Sequence, residues 1–229
     1  MSSLSKRLRL IGTMVPDGAR VCDVGTDHGY LPAALYKSGR VSSVTATDIR
    51  EKPLENARKN LARLGADGVR LILCDGLAGV CREDVDTVIV AGMGAEVICG
   101  ILARCAFVRD GTVTLLLQPM TSAELLRDYL AREGFRVLCE PTVEDGNRFY
   151  SVMKARFDGV QRELTPTERY AGLVTADSVS GRKYLEKQYR RLRDCQAILV
   201  DRPEEQEKYS EYAAAAKGIQ QRLEDTNAV

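Results

Sequence analysis

Short apolar runs and helical stripes alternate along this chain. From Arg20 onward the order is RVCDVG, a helical pattern from Leu31 to Ser38, SVTATDI, a helical pattern from Pro53 to Leu64, VRLILCD and DTVIVAGM. A helical pattern from Ala95 to Ala103 follows, then TVTLLLQP, a helical pattern from Ser122 to Glu133, and two last runs, FRVLCEP and FYSVMKARF. Runs this short and apolar, alternating with helices, predict a largely parallel α/β sheet. Ahead of them, Leu4, Leu8, Ile11 and Val15 recur at helical spacing, which predicts an amphipathic helix with Lys6, Arg7 and Arg9 on its exposed sides. Pro16 and Gly18 end that helix.

Local chemistry sets several boundaries. Pro53 suits a first helical turn, Leu54, Ala57, Leu61 and Leu64 form one stripe, and Gly65 suits a left-handed cap. Thr121 and Glu124 fit a capping box, and Gly134 closes that helix. EDGN between the last two runs is a turn sequence, so those runs are expected to form an antiparallel hairpin at the sheet edge. Beyond Phe157 the pattern changes. Leu185, Leu192 and Leu199 step by seven, DRPEE interrupts, and Tyr209, Tyr212, Ala216, Ile219 and Leu223 give a second stripe. This predicts an antiparallel helical hairpin or coiled coil over about 182–224, with Pro203 beginning its second arm and helices near Thr165 to Ala176 linking it to the sheet. Two domains are expected, 1–160 and 161–229.

Composition narrows the class. The 33 Lys and Arg against 32 Asp and Glu leave no global field to attract nucleic acid, so any basic face must be local. The seven cysteines form no CxxC pair and several lie in apolar runs, which fits reduced thiols in a cytoplasmic protein. With one histidine and no Cys/His cluster, no metal site is expected. SKRLRLIGTMV is interrupted by Pro16 and Asp17 before it could serve as a signal or membrane segment.

Candidate chemistry concentrates in DVGTDHGYLP, residues 23–32. A strand ending at Asp23-Val24-Gly25, followed by a helix, brings a glycine corner to the carboxyl edge of the sheet, where open α/β folds bind ligands. The spacing is Gly25-x-x-x-Gly29 rather than GxGxxG, and Asp27 sits in the middle, where it would repel a pyrophosphate. A cationic or zwitterionic nucleoside fits better; S-adenosylmethionine, with a sulfonium and no phosphate, is the obvious one. Asp48 ends the second strand and can accept two ribose hydroxyls, Asp75 after the third can accept an adenine amino proton beside the Gly76 N–H, and AGMG over 91–94 supplies a thin wall after the fourth. Singly, each is also an ordinary turn or cap residue; the signal is three acids at three successive strand ends. His28 is read as a cap or carbonyl-bonding residue of the turn.

LSKRL (4–8), DVGTDHGYLP, DGL (75–77), AGMG (91–94), LQP (117–119) and EDG (144–146), followed by a helical tail, resemble the bacterial tRNA adenine-22 N1-methyltransferases. The resemblance implies a Rossmann-like class I methyltransferase sheet of seven strands with an antiparallel last strand, S-adenosylmethionine as donor and tRNA as partner. It implies a cofactor-binding set of Asp23, Gly25, Asp48, Ile49, Asp75, Gly76, Ala91 and Gly92, with Asp27 as the catalytic acid facing the base. Tyr30 would border an extruded base, Gln118 and the Pro119 backbone would read its edge, and Arg7 and Arg9 would contact RNA. The helix GRKYLEKQYRRLRD offers Lys183, Lys187, Arg190, Arg191 and Arg193, with Tyr184 and Tyr189, as a phosphate-contacting arm. Two positions depart from the family: Met120 stands where Asn commonly follows Gln-Pro, and AGMGG becomes AGMGAE. A methyltransferase on another acceptor and a non-catalytic RNA-binding module remain alternatives; an NAD-dependent oxidoreductase lacks its fingerprint.

Overall fold

A computed structural model describes residues 4–225; the outer ends of the two expected domains, 1–3 and 226–229, lie outside the described residues. The chain opens with α1 (Lys6–Met14), then alternates β1 (Arg20–Val24), α2 (Tyr30–Lys37), β2 (Ser43–Asp48), α3 (Glu51–Leu64), β3 (Arg70–Leu73), β4 (Thr87–Gly94), α4 (Ala95–Ala103), β5 (Thr114–Thr121), α5 (Ala123–Arg132) and β6 (Phe135–Cys139). β7 (Thr142–Asp145), β8 (Arg148–Ser151) and β9 (Met153–Phe157) follow, then α6 (Pro166–Ala171), α7 (Val179–Leu199) and α8 (Gln206–Asp225). Seven strands form one sheet in the order β3-β2-β1-β4-β5-β9-β6. β9 alone runs against its neighbours. The strand order reverses between β1 and β4, which creates the crevice at their carboxyl ends where such sheets take ligands.

The continuous apolar runs are explained by burial on both faces. Along β4, Val88 and Val90 join the cluster under α4 and α5, while Ile89 joins the one under α1, α2 and α3. Along β5, Leu115 and Leu117 face one way and Leu116 the other. Alternation across the pleat thus gives the central strands two apolar faces, while the edge strands β3 and β6 are largely half-buried or exposed. The expected stripe on α1 holds, with Leu4, Ile11 and Val15 buried. Gly65 caps α3 with φ 66°, its N–H bonding the Ala62 carbonyl.

Two expectations are corrected. The EDGN turn does not join two strands of the main sheet: it closes a separate hairpin of β7 and β8, paired from Thr142↔Ser151 to Asp145↔Arg148. The run FYSVMKARF breaks at Val152; its second half, β9, inserts between β5 and β6, so the expected antiparallel pairing of the last two runs at the sheet edge does form, without a tight turn between them and with β6 outermost. The Thr121–Glu124 capping box does not form, because β5 pairs through Thr121 with Gly94 and the turn falls on Ser122. Ser122 takes φ 54°, the one non-glycine residue at positive φ among the described residues. Ser122→Gly is therefore expected to stabilise the protein by roughly 0.5 kcal/mol, the left-handed strain relieved less the added unfolded-state entropy. A lower melting temperature would show that the strain is offset locally.

The tail packs as its own apolar cluster, with Leu185 and Leu192 of α7 against Ala215, Ala216 and Ile219 of α8. Pro203 opens a short 3-10 turn, and the second arm starts at Gln206. Thr165 and Glu168 form the capping box of α6. Among the described residues no helix is long and apolar enough to cross a membrane.

Candidate active site at the carboxyl edge of the sheet

The glycine corner is built by backbone geometry. Gly25 and Gly29 take φ 81° and 68°, values open to glycine at little cost. The N–H groups of Gly25 and Thr26 both bond the Thr47 carbonyl, at 2.8 and 3.0 Å, stapling the loop to β2. A Cβ on Gly29 would sit 3.2 Å from that of Ala57, so the corner lies flat on α3.

Asp23 ends β1 beneath this corner, buried, and accepts a 2.6 Å bond from the Thr26 hydroxyl. Burial pushes its carboxyl from 3.8 up to about 6, against the opposing pull of the Thr26 bond and the Arg7 charge. Between those values the folded protein holds a proton that the unfolded chain has released. Stability therefore falls as pH rises through that window, and the penalty is complete above about 6. Asp23→Asn, which still accepts from Thr26, is expected to raise stability at pH 8 by up to about 3 kcal/mol and to make little difference near pH 4. Denaturant titrations at both values check this; an equal gain at both would assign it to packing.

The other two acids stand beside it along the edge. Asp48 is buried at the end of β2 and accepts the Arg50 N–H at 2.8 Å, with the Arg50 side chain 3.7 Å away. Asp75 is half-exposed, and its Oδ1 accepts from Arg104 at 3.1 Å. Gly76, at φ 60°, lies against Ile101, and its carbonyl accepts the Thr47 hydroxyl. These residues line a cleft of about 500 Å³. At its rim Ile49 and Val97 are 64% and 53% exposed, large aliphatic surfaces suited to covering a flat ring.

A second chamber of about 340 Å³ adjoins the first and shares Gly25, Asp27, Ala91 and Gly92 with it. Asp27 thus stands at the junction, its side chain 68% exposed and 3.3 Å from His28 Nε2. His28 leans on Tyr30, ring centroids 5.7 Å apart, and its carbonyl accepts from Asn60. Its contacts are those of a turn residue.

Behind the second chamber, AGMG is the bulged end of β4. Gly92 takes φ 79°, and its N–H donates to Gln118 Oε1 at 3.1 Å. The same oxygen accepts from Arg7 Nη1 at 2.5 Å, and Gln118 Nε2 donates to the Pro119 carbonyl at 2.7 Å. Gln118 is fully buried with both ends of its amide bonded, and Pro119 is buried beside it. Neither presents an edge for reading a base, which corrects that expectation. Arg7 is corrected too: it turns inward, half-buried, rather than lying on the exposed side of α1. Arg9 is exposed and lines neither chamber.

The expected basic arm is a surface groove of about 650 Å³ along α7, lined by Lys183, Lys187, Arg190 and Arg191 together with Glu186 and Asp194. Acids temper it: Arg191 bonds Glu124, Arg190 lies 3.9 Å from Glu186, and Lys183 lies 3.7 Å from Glu144. Tyr184 faces inward, 4% exposed, and its hydroxyl accepts from Arg127.

Sequence reasoning missed Thr26, Arg50, Ile101 and Arg104, each of which borders one of the two chambers. Only Thr26, inside the glycine turn, carried a local signal. Arg104 meets Asp75 across 29 residues, and nothing in the sequence near either points to the other. All seven cysteines are free, and no cluster of metal-ligating side chains occurs among the described residues.

An open α/β sheet with a strand-order reversal and acids at three successive strand ends has the layout of the doubly wound folds that take ligands at the carboxyl edge. Residues 4–153 match the family described as a methyltransferase domain, and the chain belongs to that family. It is 27% identical over 199 residues to the tRNA (adenine(22)-N(1))-methyltransferase of Bacillus subtilis, covering 85% of this chain and 84% of the relative. A Streptococcus pneumoniae structure, described as a candidate tRNA (m1A22) methyltransferase in complex with S-adenosyl-L-methionine, superposes with a TM-score of 0.79 at 28% identity over 96% of this chain and 99% of that one. The B. subtilis m1A22 tRNA methyltransferase structure has the same fold, with a TM-score of 0.82 at 24% identity over 96% and 99% of the two chains.

Proposed function

We propose that this chain transfers the methyl group of S-adenosylmethionine to N1 of adenine 22 in the D-arm of bacterial tRNA. The observation that carries the reading is the pair of adjoining chambers with Asp27 at their junction. The relatives above supply the acceptor.

The donor's groups fit the residues present. Asp48 accepts from ribose hydroxyls, and Asp75 keeps Oδ2 for an adenine amino group while Oδ1 takes Arg104. The Gly76 N–H completes the adenine contact, and Ile49 lies against the ring. Asp23 meets the ammonium, whose positive charge stabilises a carboxylate that burial otherwise disfavours. Gly25, Ala91 and Gly92 form the thin wall at the junction. When bound, S-adenosylmethionine supplies an electrophilic methyl on a sulfonium.

Adenine N1 lies on the Watson–Crick edge, so the base must leave its stack, and Tyr30 borders the space that would receive it. Asp27 is placed to stabilise the positive charge that develops on the base and to accept an amino proton from it. Arg9 and the α7 groove face phosphates. No covalent enzyme intermediate is needed, since alignment of the two reactants supplies much of the acceleration.

The reading is tested by incubating unmodified tRNA with the protein and tritiated S-adenosylmethionine, then analysing the nucleosides. Label in N1-methyladenosine is expected. Label in another nucleoside would move the chain to a different acceptor, and RNA binding without incorporation would favour a non-catalytic module.

A further inference from the structure

We propose that the groove along α7 takes an unpaired nucleotide of the tRNA, with its base stacked on Phe149 and its phosphate among Lys183, Lys187, Arg190 and Arg191. The inference rests on the reading of tRNA as the acceptor and deepens it. It adds a base contact to a surface otherwise read as meeting phosphates alone.

The motif EDG over 144–146 has no part in the donor cleft, and the register of its hairpin shows what it builds. Glu144 stands opposite Phe149 and Val143 opposite Tyr150, so side chains alternate between the two faces of the β7–β8 ribbon. One face meets α1: Asp145 accepts the Arg7 N–H at 3.3 Å, and the Arg7 guanidinium lies 5.9 Å from the centre of the Tyr150 ring. The other meets α7: the Thr142 hydroxyl donates to Ser180 at 3.0 Å, Glu144 lies 3.7 Å from Lys183, and Lys183 Nζ is 5.6 Å from the centre of the Phe149 ring. Arg7 lines the second chamber and Phe149 lines the α7 groove. One two-stranded ribbon therefore separates the groove from the chamber assigned to the target base, and a single RNA can engage both.

A track for phosphates needs only cations. This groove, of about 650 Å³, is also lined by the half-buried Phe149 ring and by Ile198, which is 64% exposed. An aromatic surface inside a cationic groove suits an unpaired nucleotide, because every base has a π face and a base in a duplex keeps its faces stacked. Glu186 and Asp194 temper the charge of the same groove, so stacking supplies what the ion contacts lack. Phe149 also packs against the apolar cluster of the tail, which holds the ring in place and lowers the cost of ordering it on binding.

The chain contains no tryptophan, so Phe149→Trp places a single indole in the groove. Its emission is expected to be quenched when unmodified tRNA binds and to stay unchanged with an RNA duplex that has no unpaired nucleotide. Phe149→Leu keeps an apolar side chain for the tail, and its affinity for tRNA is expected to fall roughly 10-fold with the salt dependence unchanged, since stacking releases no counterion. Lys187→Ala, the comparison, is expected to reduce the slope of log affinity against log salt by about one. Affinity for S-adenosylhomocysteine is expected to stay within about twofold in every variant, because the groove is remote from the donor cleft. Unchanged emission with tRNA bound, or a Phe149→Leu loss as large for the duplex as for tRNA, would overturn the stacked base and leave the groove as a phosphate contact only. Absence of tRNA binding by the unaltered protein would overturn the acceptor reading as well, and is distinguishable from both.

Discussion

Asp27→Ala is expected to leave affinity for S-adenosylhomocysteine within about threefold while slowing methyl transfer to tRNA by roughly 100- to 1000-fold, the range seen when a group that stabilises developing charge is removed. The two effects separate because of where Asp27 stands. Its side chain is 68% exposed, and among the described residues its close charged-group neighbour is His28 Nε2, 3.3 Å away. The corner's shape comes instead from Gly25, Gly29 and the two bonds to the Thr47 carbonyl, none of which needs that carboxylate. Asp27→Asn keeps the shape and removes the charge, so an equal loss in that variant would assign the effect to electrostatics. Single-turnover rates beside calorimetric affinities make the comparison; an unchanged rate would remove Asp27 from the chemistry.

Breaking the buried pair between Arg127 and Glu140 is expected to cost about 3–5 kcal/mol, a large share of the stability of an ordinary domain. Arg127 of α5 and Glu140, just after β6, have side chains 3% and 0% exposed and meet at 2.6 Å. Arg127 also donates to the Arg169 and Tyr170 carbonyls and to the Tyr184 hydroxyl, and Glu140 accepts the Leu173 N–H at 3.1 Å. One ion pair thus ties the sheet to α6, α7 and the segment between them. Glu140→Ala strands the guanidinium without its counter-charge; Arg127→Met strands the carboxylate and two carbonyls. Denaturant unfolding should show either loss, and the double variant Arg127→Met/Glu140→Leu should lose less than the two single losses added together. A loss below about 1 kcal/mol in both single variants would mean that water reaches the pair.

The parts of this architecture that were legible are those set by local pattern. The central strands β1, β2, β4 and β5 announced themselves as apolar runs because both their faces are buried, and the edge strands β3 and β6 by short apolar runs between helices. Asp23, Asp48 and Asp75 were found because a polar residue closing such a run must lie at the carboxyl edge of a parallel sheet, which is where the structure has them. What was not legible depends on distant partners. Gln118 after three buried leucines looks like a residue offered to a ligand; only Arg7, 111 residues away, and Gly92 explain why it is buried. Arg7 itself looked solvated because its inward turn depends on β4, β5 and the β7–β8 hairpin, none of which the α1 stripe encodes. Arg127 sits in a helix rich in charge, where the ordinary reading is a wet face. The antiparallel pairing of the last two runs was legible and forms as β6 with β9, whereas the contact of β9 with β5 is a pairing across the chain and the EDGN turn closes the separate β7–β8 hairpin.

The most direct measurement maps the modified nucleotide. A tRNA transcript with adenine at position 22, the position named for the B. subtilis relative, is incubated with the protein and S-adenosylmethionine and then copied by reverse transcriptase, which N1-methylation of adenine arrests. An arrest at position 22 that requires the donor and disappears when guanine replaces that adenine is the expected result. Full-length copying under all conditions, or an arrest elsewhere, would contradict the assigned reaction.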